Sequence, residues 1–271
     1  MFEDLSPEEK LYFYKIKKYI SLHGSLSCDG FRDAYLERRF RARIGSLRLN
    51  TLREYYKYIE DKGKEEMLIL WNTIAINVTR FFRNVEVYGK LEKEILPNLS
   101  RTRLLLVWSA GSSVGEEAYS VAMICRELTK KGIYTNVKII GTDIDEDAMN
   151  KGREGIYKKE DFQEMPEKYF KYLDDLGNDR FQVKEELKKI VSFQRNDLLK
   201  DPPLKNMDLI LCRNTIIYFD KPAQEKIFMK FYGALNEGGY LILGGTESLS
   251  GGAEKLFKYI DIPTRVYRKL P

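Results

Sequence analysis

The spacing of apolar residues changes along the chain and divides the sequence near residue 72. Residues 1–72 show apolar positions at helical spacing and no pattern typical of a strand. Ser6-Pro7 offers an N-cap followed by proline in the first turn, which predicts a helix start. A second helix is predicted from about Cys28 to Ile44, and a third begins near Asn50. We therefore expect residues 1–72 to form a small all-helical domain.

From Arg103 onward, short apolar runs alternate with helical patterns. This alternation predicts an α/β domain over residues 73–271, built on a parallel sheet. A helix is predicted from about Gly115 to Lys131, and residues 256–269 could hold a final antiparallel pair. The predicted strands are Leu104–Val107, Val137–Ile140, Ile190–Phe193, Met207–Cys212 and Tyr240–Leu243.

The first two strands of this domain resemble the opening of a nucleotide-binding crevice. Ala110 and Gly111 follow the first apolar run, and small residues let the backbone approach a ligand closely. Asp143 follows the second run, 32 residues after Gly111. A carboxylate at that position can accept hydrogen bonds from two ribose hydroxyls.

The turn between the first of these strands and the following helix does not match the pyrophosphate-binding fingerprint, whose pattern is G-x-G-x-x-G. Gly111 and Gly115 are separated by three other residues, and Glu116 and Glu117 follow them. Two carboxylates would repel a phosphate but attract a cation, which favours S-adenosylmethionine, an adenosyl cofactor with a sulfonium and an ammonium. The alternative interpretation is that these glutamates only complement the helix dipole.

Composition excludes several classes of protein. A hydrophobic fraction of 43% and a charged fraction of 32% describe an ordinary soluble protein. No apolar run is long enough to span a membrane, and the N-terminal residues do not resemble a secretion signal. The three cysteines show neither metal-binding nor disulfide spacing, so we expect a reducing cytoplasm; they are Cys28, Cys125 and Cys212. The single histidine, His23, lies near the N-terminus, which argues against a Ser-His-Asp triad, and one histidine is too few for a His-rich metal site, so no metal is expected.

The basic residues cluster on the second predicted helix. Seven arginines lie between Arg32 and Arg53, where the only acids are Asp33 and Glu37. Leu36, Phe40 and Ile44 fall four residues apart and should form the buried stripe of this helix. The arginines expected to face outward are Arg38, Arg39, Arg41 and Arg43. Such a face attracts an acidic protein or a nucleic acid, unless it is only a solvated surface. The lack of interleaved aromatic residues disfavours nucleic acid.

Four motifs follow one another in the second part of the chain. They are N-x-T-x-F-F-R from Asn77, W-S-A-G-x-S-x-G-E-E-x-Y-S from Trp108, G-T-D-I-D from Gly141, and C-R-N-x-x-I-Y-F-D from Cys212. In this combination the sequence resembles the CheR-type chemotaxis receptor methyltransferases. The overall match extends from the arginine-rich helices to Gly244-Gly245-Thr246-Glu247. The family usually has Cys-Ser-Thr and a proline in the turn, where this chain has Ser112-Ser113-Val114 and Ala118.

The resemblance implies a Rossmann-like S-adenosylmethionine-dependent methyltransferase sheet. The implied reaction is methylation of glutamate side chains on the cytoplasmic helices of chemoreceptors. A glutamate carboxylate is already ionised at neutral pH, so no general base is needed. Arg83 and Tyr218 are the predicted catalytic residues: Arg83 could hold a carboxylate in a bidentate pair, and Tyr218 could orient the substrate carboxylate or face the methyl group.

The resemblance also assigns the cofactor contacts. Asn77, Thr79 and Arg83 are expected to close over the methionine end, whose ammonium Glu117 would bind. Asp143 would bind the ribose, with Ala110 and Gly111 in the adjoining turn. The adenine edge is assigned to Asn196 and Asp197, although Asp197 could merely cap a turn. The remaining predicted contacts, beneath the sulfur, are Arg213 and Asn214.

Residues 157–190 are longer than a simple crossover between strands requires. Tyr157–Tyr172 has a helical pattern with a break at Met165-Pro166, while Asp179–Lys184 and Lys189–Phe193 could be strands. Related enzymes carry a small antiparallel sheet at this point, so we expect an inserted antiparallel β-subdomain. In some members of the family this sheet binds a receptor tail by adding a strand.

The resemblance leads us to expect a cytoplasmic monomer that docks a chemoreceptor's acidic helical bundle on the arginine helix near Arg38–Arg43. Neither membrane insertion nor nucleic-acid binding is expected. Two other functions stay open from sequence. One is a methyltransferase that acts on RNA or a small molecule, and the other is a non-catalytic regulator that binds the cofactor.

Overall fold

The structure is a computed structural model that describes residues 2–23, 28–75, 79–99, 104–134 and 136–271. The chain forms two compact units. The first contains Met1–Ile76 and Tyr218–Ala223, and the second contains Asn77–Ile217 and Gln224–Pro271. The division therefore falls a few residues after the sequence-based boundary, and the first unit also takes a short segment from late in the chain.

Among its described residues, the first unit contains four α-helices after a short 3-10 turn (Phe2–Asp4). They are α1 (Pro7–His23), α2 (Asp33–Ser46), α3 (Leu52–Lys62) and α4 (Lys64–Ile74). Ser6 caps α1 as predicted, because its hydroxyl accepts the N–H of Glu9 at 3.2 Å. The sequence did not separate α3 from α4. Gly63 ends α3 with a positive φ of 55°, and α4 begins at the next residue.

The late segment joins the first unit through the backbone at the start of α2. Arg32 N–H donates to the carbonyl of Tyr218 at 3.0 Å, and Asp220 N–H donates to the carbonyl of Gly30 at 2.7 Å. Phe31 and Phe219 form an isolated antiparallel bridge and stack their rings at 4.9 Å. These contacts span nearly 190 positions of sequence, so local patterns could not predict them.

The second unit begins with α5 (Val85–Lys90), a π-helical turn (Leu91–Ile95) and α6 (Leu96–Asn98). The elements that follow up to the insert are β1 (Leu105–Ala110), α7 (Glu116–Lys130), β2 (Val137–Asp143) and α8 (Glu146–Glu154). The insert holds β3 (Ile156–Lys158), β4 (Leu173–Gly177) and β5 (Arg180–Val183). The rest of the unit comprises α9 (Glu185–Lys188), β6 (Val191–Arg195), β7 (Met207–Cys212), α10 (Lys221–Ala234), β8 (Leu235–Leu243), β9 (Phe257–Asp261) and β10 (Val266–Lys269).

A seven-stranded sheet forms the centre of the second unit, in the order β6-β2-β1-β7-β8-β10-β9. The first five strands in this order pair in parallel, while β10 and β9 pair antiparallel at one edge. Strand β1 continues to Ala110 and β2 to Asp143, further than predicted, because Ala110 pairs with Thr142 in the parallel ladder. The predicted antiparallel pair in residues 256–269 is confirmed.

The insert forms a three-stranded antiparallel sheet in the order β3-β5-β4. Asn178 and Asp179 link β4 and β5 with φ of 52° and 55°, the left-handed pair that a tight hairpin turn requires. The predicted helix over Tyr157–Tyr172 is wrong. Tyr157 pairs with Phe181 in this sheet, and only short 3-10 turns follow it. Pairing with β5 replaces the helical pattern at Tyr157 and Lys158, and the 3-10 turns of the following residues lie on either side of Met165-Pro166.

The predicted fold class is confirmed: an α/β structure with a helical N-terminal part and a small inserted antiparallel sheet. Phe81, Phe82 and Cys212 are at most 1% exposed and belong to the core. No helix among the described residues combines the length and the apolar character that spanning a membrane requires.

Candidate active site

The turn between β1 and α7 folds over the carboxyl end of β2. The N–H groups of Gly111 and Ser112 both donate to the carbonyl of Thr142 at 2.8 Å. Gly111 has a φ of 75°, and a Cβ there would lie 2.3 Å from Thr215 Oγ1. Because Gly111 has no side chain, the loop after β7 can pack against it. From the sequence, glycine at this position was predicted only to allow close approach of a ligand. Ala110 is fully buried at the end of β1.

Asp143 stands half-buried at the carboxyl end of β2. One carboxylate oxygen accepts the N–H of Ser113 at 2.9 Å, and the other accepts the N–H of Asp145 at 3.1 Å. Burial raises the pKa of Asp143, and these backbone N–H groups oppose the rise. Because each carboxylate oxygen has two lone pairs, Asp143 can hold the turn and still accept a ligand hydroxyl.

The two glutamates at the start of α7 have different surroundings. Glu117 accepts the Ser109 hydroxyl at 2.8 Å and lies 3.6 Å from Arg213 Nη1. Burial raises the pKa of Glu117, although Arg213 and Ser109 oppose the rise. Glu116 is 3% exposed, and its Oε2 has no hydrogen-bond partner among the described residues. Burial raises the pKa of Glu116 to about 8. The family resemblance had singled out Glu117 as a cofactor contact, but the burial of Glu116 as a raised-pKa acid was not predicted.

Arg213 connects the end of β7 to the segment before α5. Its Nη2 donates to the carbonyl of Arg83 at 2.8 Å and to Asn84 Oδ1 at 2.9 Å. Its guanidinium lies 5.6 Å from the ring centre of Tyr88 and faces Glu117. Arg213 therefore acts first as an internal link, and its buried Nε has no hydrogen-bond partner among the described residues.

The segment Thr79–Asn84 is held in an unusual backbone conformation. Phe82 and Asn84, on either side of Arg83, have φ of 54° and 63°, a left-handed conformation that non-glycine residues rarely adopt. Phe82 N–H donates to the Ser120 hydroxyl at 3.0 Å, and Asn84 N–H donates to Glu164 Oε2 at 2.7 Å. Thr79 and the side chain of Arg83 are partly exposed. Asn77 lies outside the described residues.

Asn196 and Asp197 follow β6 and take part in the local loop. Asn196 N–H donates to the carbonyl of Asp143 at 2.9 Å, which joins the ends of β6 and β2. Asp197 Oδ1 accepts the N–H groups of Leu199 and Lys200 at 2.9 and 3.2 Å. Asp197 therefore caps the turn, as the alternative interpretation held. A contact of either side chain with adenine stays a prediction.

Asn214 follows β7 with a φ of 58°, and its N–H donates to Glu247 Oε2 at 2.9 Å. Glu247 is 3% exposed and also accepts the N–H groups of Gly244 and Ile217. No role for Glu247 was predicted from the sequence. The available signal was an acid four residues after the apolar end of β8, since residues that follow a parallel strand often face the ligand-binding end of the sheet.

Residues 77–266 match the family model described as CheR methyltransferase, SAM binding domain. The chain belongs to the CheR methyltransferase family. A chemotaxis protein methyltransferase of Borreliella burgdorferi is 38% identical over 76% of this chain and 76% of that protein. A probable chemotaxis protein methyltransferase of Rhizobium etli is 34% identical over 84% of this chain and 89% of that protein. A chemotaxis protein methyltransferase of Listeria innocua is 32% identical over 94% of this chain and 95% of that protein.

Membership of the CheR family makes the protein a methyltransferase with S-adenosylmethionine as its cofactor. The described residues suit that cofactor. Glu117 offers a buried carboxylate to a cationic group, and Asp143 offers free lone pairs to hydroxyls. Ser112 Oγ and Arg213 Nε are buried without hydrogen-bond partners among the described residues, so polar groups remain for a ligand. No group of three or more metal-ligating side chains occurs in the described part of the chain.

The second predicted catalytic residue, Tyr218, belongs to the first unit of this CheR-family protein. Its ring packs against Tyr35 of α2 with centres 4.7 Å apart. Arg39 also lies over the Tyr35 ring, at 5.1 Å from its centre. The structure thus brings a predicted catalytic residue next to the arginine helix, a proximity that sequence patterns did not indicate.

The predicted outward arginine face is wrong for Arg43. Its guanidinium makes two hydrogen bonds of 2.7 Å to Glu66 of α4, a carboxylate with 1% of its surface exposed. Arg41 is partly covered and pairs with Glu9 and Glu37 at 2.8 and 2.9 Å. Arg38 is exposed. Glu66 lies outside the sequence window from which the face was inferred, so the pairing could not be recognised there. The predicted buried stripe of α2 is confirmed.

Proposed function

We propose that this protein methylates glutamate side chains on the cytoplasmic helices of chemoreceptors, giving glutamyl methyl esters. The observation that carries the proposal is the similarity of nearly the whole chain, helical unit included, to chemotaxis protein methyltransferases. A shared methyltransferase domain alone would support only the cofactor. Similarity that extends through the first unit supports a common protein substrate.

The chemistry of the chain agrees with a carboxylate nucleophile. A glutamate side chain has a pKa of about 4.3 and needs no base to become nucleophilic near neutral pH. The only histidine, His23, stacks on Tyr19 at the end of α1, with ring centres 4.2 Å apart. When bound, S-adenosylmethionine supplies an electrophilic methyl group on a sulfonium. Transfer of that methyl to the glutamate carboxylate would leave S-adenosylhomocysteine as the second product.

The residues of the chain would bind and orient the two reactants. We propose that Glu117 binds the cofactor ammonium, that Asp143 binds the ribose, and that Asn196 and Asp197 contact adenine. Ala110 and Gly111 would supply the adjoining backbone. The remaining proposed contacts to the methionine end and the sulfur are Asn77, Thr79, Arg83, Arg213 and Asn214. Holding reactants in line removes much of the entropic barrier to bond formation.

Arg83 and Tyr218 would orient the substrate carboxylate. An arginine guanidinium can hold a carboxylate with two parallel hydrogen bonds, which fixes its direction as well as its position. The main chain of Arg83 is anchored by Arg213. This anchoring supports the role, because the side chain of Arg83 extends from a fixed backbone.

The receptor would dock on α2. Arg38 presents an exposed positive charge, whereas Arg43 and Arg41 are engaged within the unit. We therefore propose that Arg38, with Arg39 beside Tyr35, contributes the charge that attracts an acidic helical bundle. The protein would act as a cytoplasmic monomer.

The proposal is tested by incubating the purified protein with methyl-labelled cofactor and a receptor cytoplasmic fragment. We expect label on glutamate side chains, located by mass spectrometry as esters that dilute base removes. A fragment in which the labelled glutamates are replaced by alanine is the matched control and should accept no label.

Two outcomes would overturn the proposal. Transfer of label to RNA or to a small carboxylic acid, with none to the receptor fragment, would assign a different substrate. Tight binding of the cofactor without turnover on any substrate would indicate a regulator rather than an enzyme.

A further inference from the structure

A buried carboxylate, Glu247, joins two of the loops at the carboxyl edge of the sheet. Its Oε2 accepts the N–H of Gly244 at 2.6 Å and the N–H of Asn214 at 2.9 Å. Its Oε1 accepts the N–H of Ile217 at 3.2 Å. One side chain therefore receives hydrogen bonds from the loop after β7 and from the loop after β8.

The loop after β7 depends on this carboxylate for its shape. Asn214 has a φ of 58°, and its N–H, already beyond the end of β7, finds its acceptor in Glu247. The fit around Glu247 is close, because a Cβ at Gly244 would lie 2.7 Å from Glu247 Oε2 and 2.8 Å from Asn214 N. Glycine at 244 and glutamate at 247 thus form one arrangement around Asn214.

We propose that Glu247 is a positioning residue that holds Asn214 in the orientation needed for cofactor binding. The inference rests on the proposed role of Asn214 beneath the sulfur of the cofactor. The hydrogen bonds that Glu247 accepts from this loop come from backbone N–H groups, so the proposed role is the placement of Asn214 rather than contact with a reactant.

A carboxylate is the only common side chain that suits this position. Both oxygens of Glu247 face N–H donors, and an ionised carboxylate presents acceptors alone. Glutamine has the same shape, but its NH2 group would face N–H donors on whichever side it lay. Aspartate keeps both acceptors but is shorter by one methylene. We therefore expect Glu247→Gln to lose most of the cofactor affinity and Glu247→Asp to keep part of it.

Asp208 provides a matched control on β7, the strand that leads to Asn214. It is another buried carboxylate, 3% exposed, near the start of β7. It therefore lies at the amino end of the strand, opposite to the carboxyl end where Asn214 follows. It accepts the N–H of Leu106 at 3.0 Å and the side-chain amide of Asn236 at 2.8 Å. Asp208→Asn thus disturbs a buried carboxylate that also accepts N–H donors, but at the other end of β7 from Asn214.

The test compares Glu247→Gln, Glu247→Asp and Asp208→Asn by calorimetric titration with S-adenosylhomocysteine. We expect Glu247→Gln to weaken binding about 10- to 100-fold, the effect of leaving buried donors unpaired. Hydrogen exchange should quicken at the amides of Asn214 and Ile217. Glu247→Asp should fall between Glu247→Gln and the wild type, while Asp208→Asn should lose stability without losing affinity.

A double-mutant cycle with Asn214→Ala separates positioning from general destabilisation. If Glu247 acts through Asn214, Glu247→Gln should cost little further affinity once Asn214 is alanine. Wild-type affinity in Glu247→Gln, an equal loss in Asp208→Asn, or additive losses in the cycle would each overturn the inference. These measurements need no receptor. If the wild type fails to methylate a receptor, the proposed function is overturned, but the cofactor-binding results on Glu247 can still be interpreted.

Discussion

Arg213 Nη1 lies 3.6 Å from Glu117 Oε2, and both side chains are buried where β7 and α7 approach each other. At this distance the two groups form an ion pair, but they are too far apart for a hydrogen bond. Arg213 directs its Nη2 to the backbone of Arg83, while Glu117 accepts the Ser109 hydroxyl. Glu117 thus keeps lone pairs for a cationic ligand, and Arg213 opposes the cost of burying the carboxylate before that ligand arrives.

Replacing Glu117 by glutamine should weaken cofactor binding by about 1–3 kcal/mol, because a charged hydrogen-bond acceptor for the ammonium is lost. The pKa of Glu117 is raised by burial, so wild-type affinity should increase as pH rises and the carboxylate ionises. Calorimetric titration at several pH values tests both effects. Glu117→Gln should show no such increase, and a parallel pH dependence in the variant would argue against this role.

Asp143→Ala should weaken cofactor binding by about 1–3 kcal/mol, since the ribose hydroxyls lose their acceptor. The N–H groups of Ser113 and Asp145 also lose theirs, so the free energy of unfolding should fall as well. Titration with S-adenosylhomocysteine and urea denaturation measure the two losses separately. Unchanged affinity in a folded variant would place the cofactor elsewhere.

Arg43→Glu should lower the free energy of unfolding by about 3–5 kcal/mol, because it leaves Glu66 buried without its partner. Arg38→Glu is the matched control on the exposed face of the same helix. It should leave stability within about 0.5 kcal/mol and slow receptor methylation, most strongly at low salt. Equal stability of the two variants in urea denaturation would contradict the buried pairing of Arg43.

Glu116→Gln should stabilise the protein at alkaline pH. The folded-state pKa of Glu116 is about 8, above its ordinary value of 4.5, so the folded state retains a proton that the unfolded chain releases. Stability from this group is therefore lost as pH rises from about 4.5 to about 8, by on the order of 3–5 kcal/mol. Urea denaturation of both proteins at pH 6 and pH 9 should show the gap widening with pH. A constant difference would mean that Glu116 is not buried as a neutral acid.

Tyr218→Phe should lower kcat about 10- to 100-fold and change cofactor affinity much less. The ring contact with Tyr35 is retained in phenylalanine, so the first unit should stay folded and only the hydroxyl is lost. Small losses of alignment have rate effects of this size. Steady-state kinetics on a receptor fragment, together with calorimetry, test the separation. Near-normal kcat would exclude an essential hydroxyl.

Much of the second unit could be predicted from local patterns. The run Met207–Cys212 is a strand with the predicted bounds, and the helix predicted after Gly115 is α7. The ordered motifs around Asn77, Trp108, Gly141 and Cys212 were sufficient to indicate the family. Periodicity and motif spacing depend on neighbouring residues, which is why a single sequence contains them.

Tertiary structure alone decided how the side chains are used. Glu116 and Glu117 are neighbours in sequence, yet Glu116 is a buried acid whose Oε2 has no hydrogen-bond partner in the described part of the chain, and Glu117 faces Arg213. Glu247 reaches Asn214 across 33 positions of chain, and Arg43 reaches Glu66 across 23. Burial and pairing of a charge depend on which strands and helices pack together. Sequence therefore determined the elements and the chemistry available here, and the fold determined which groups meet.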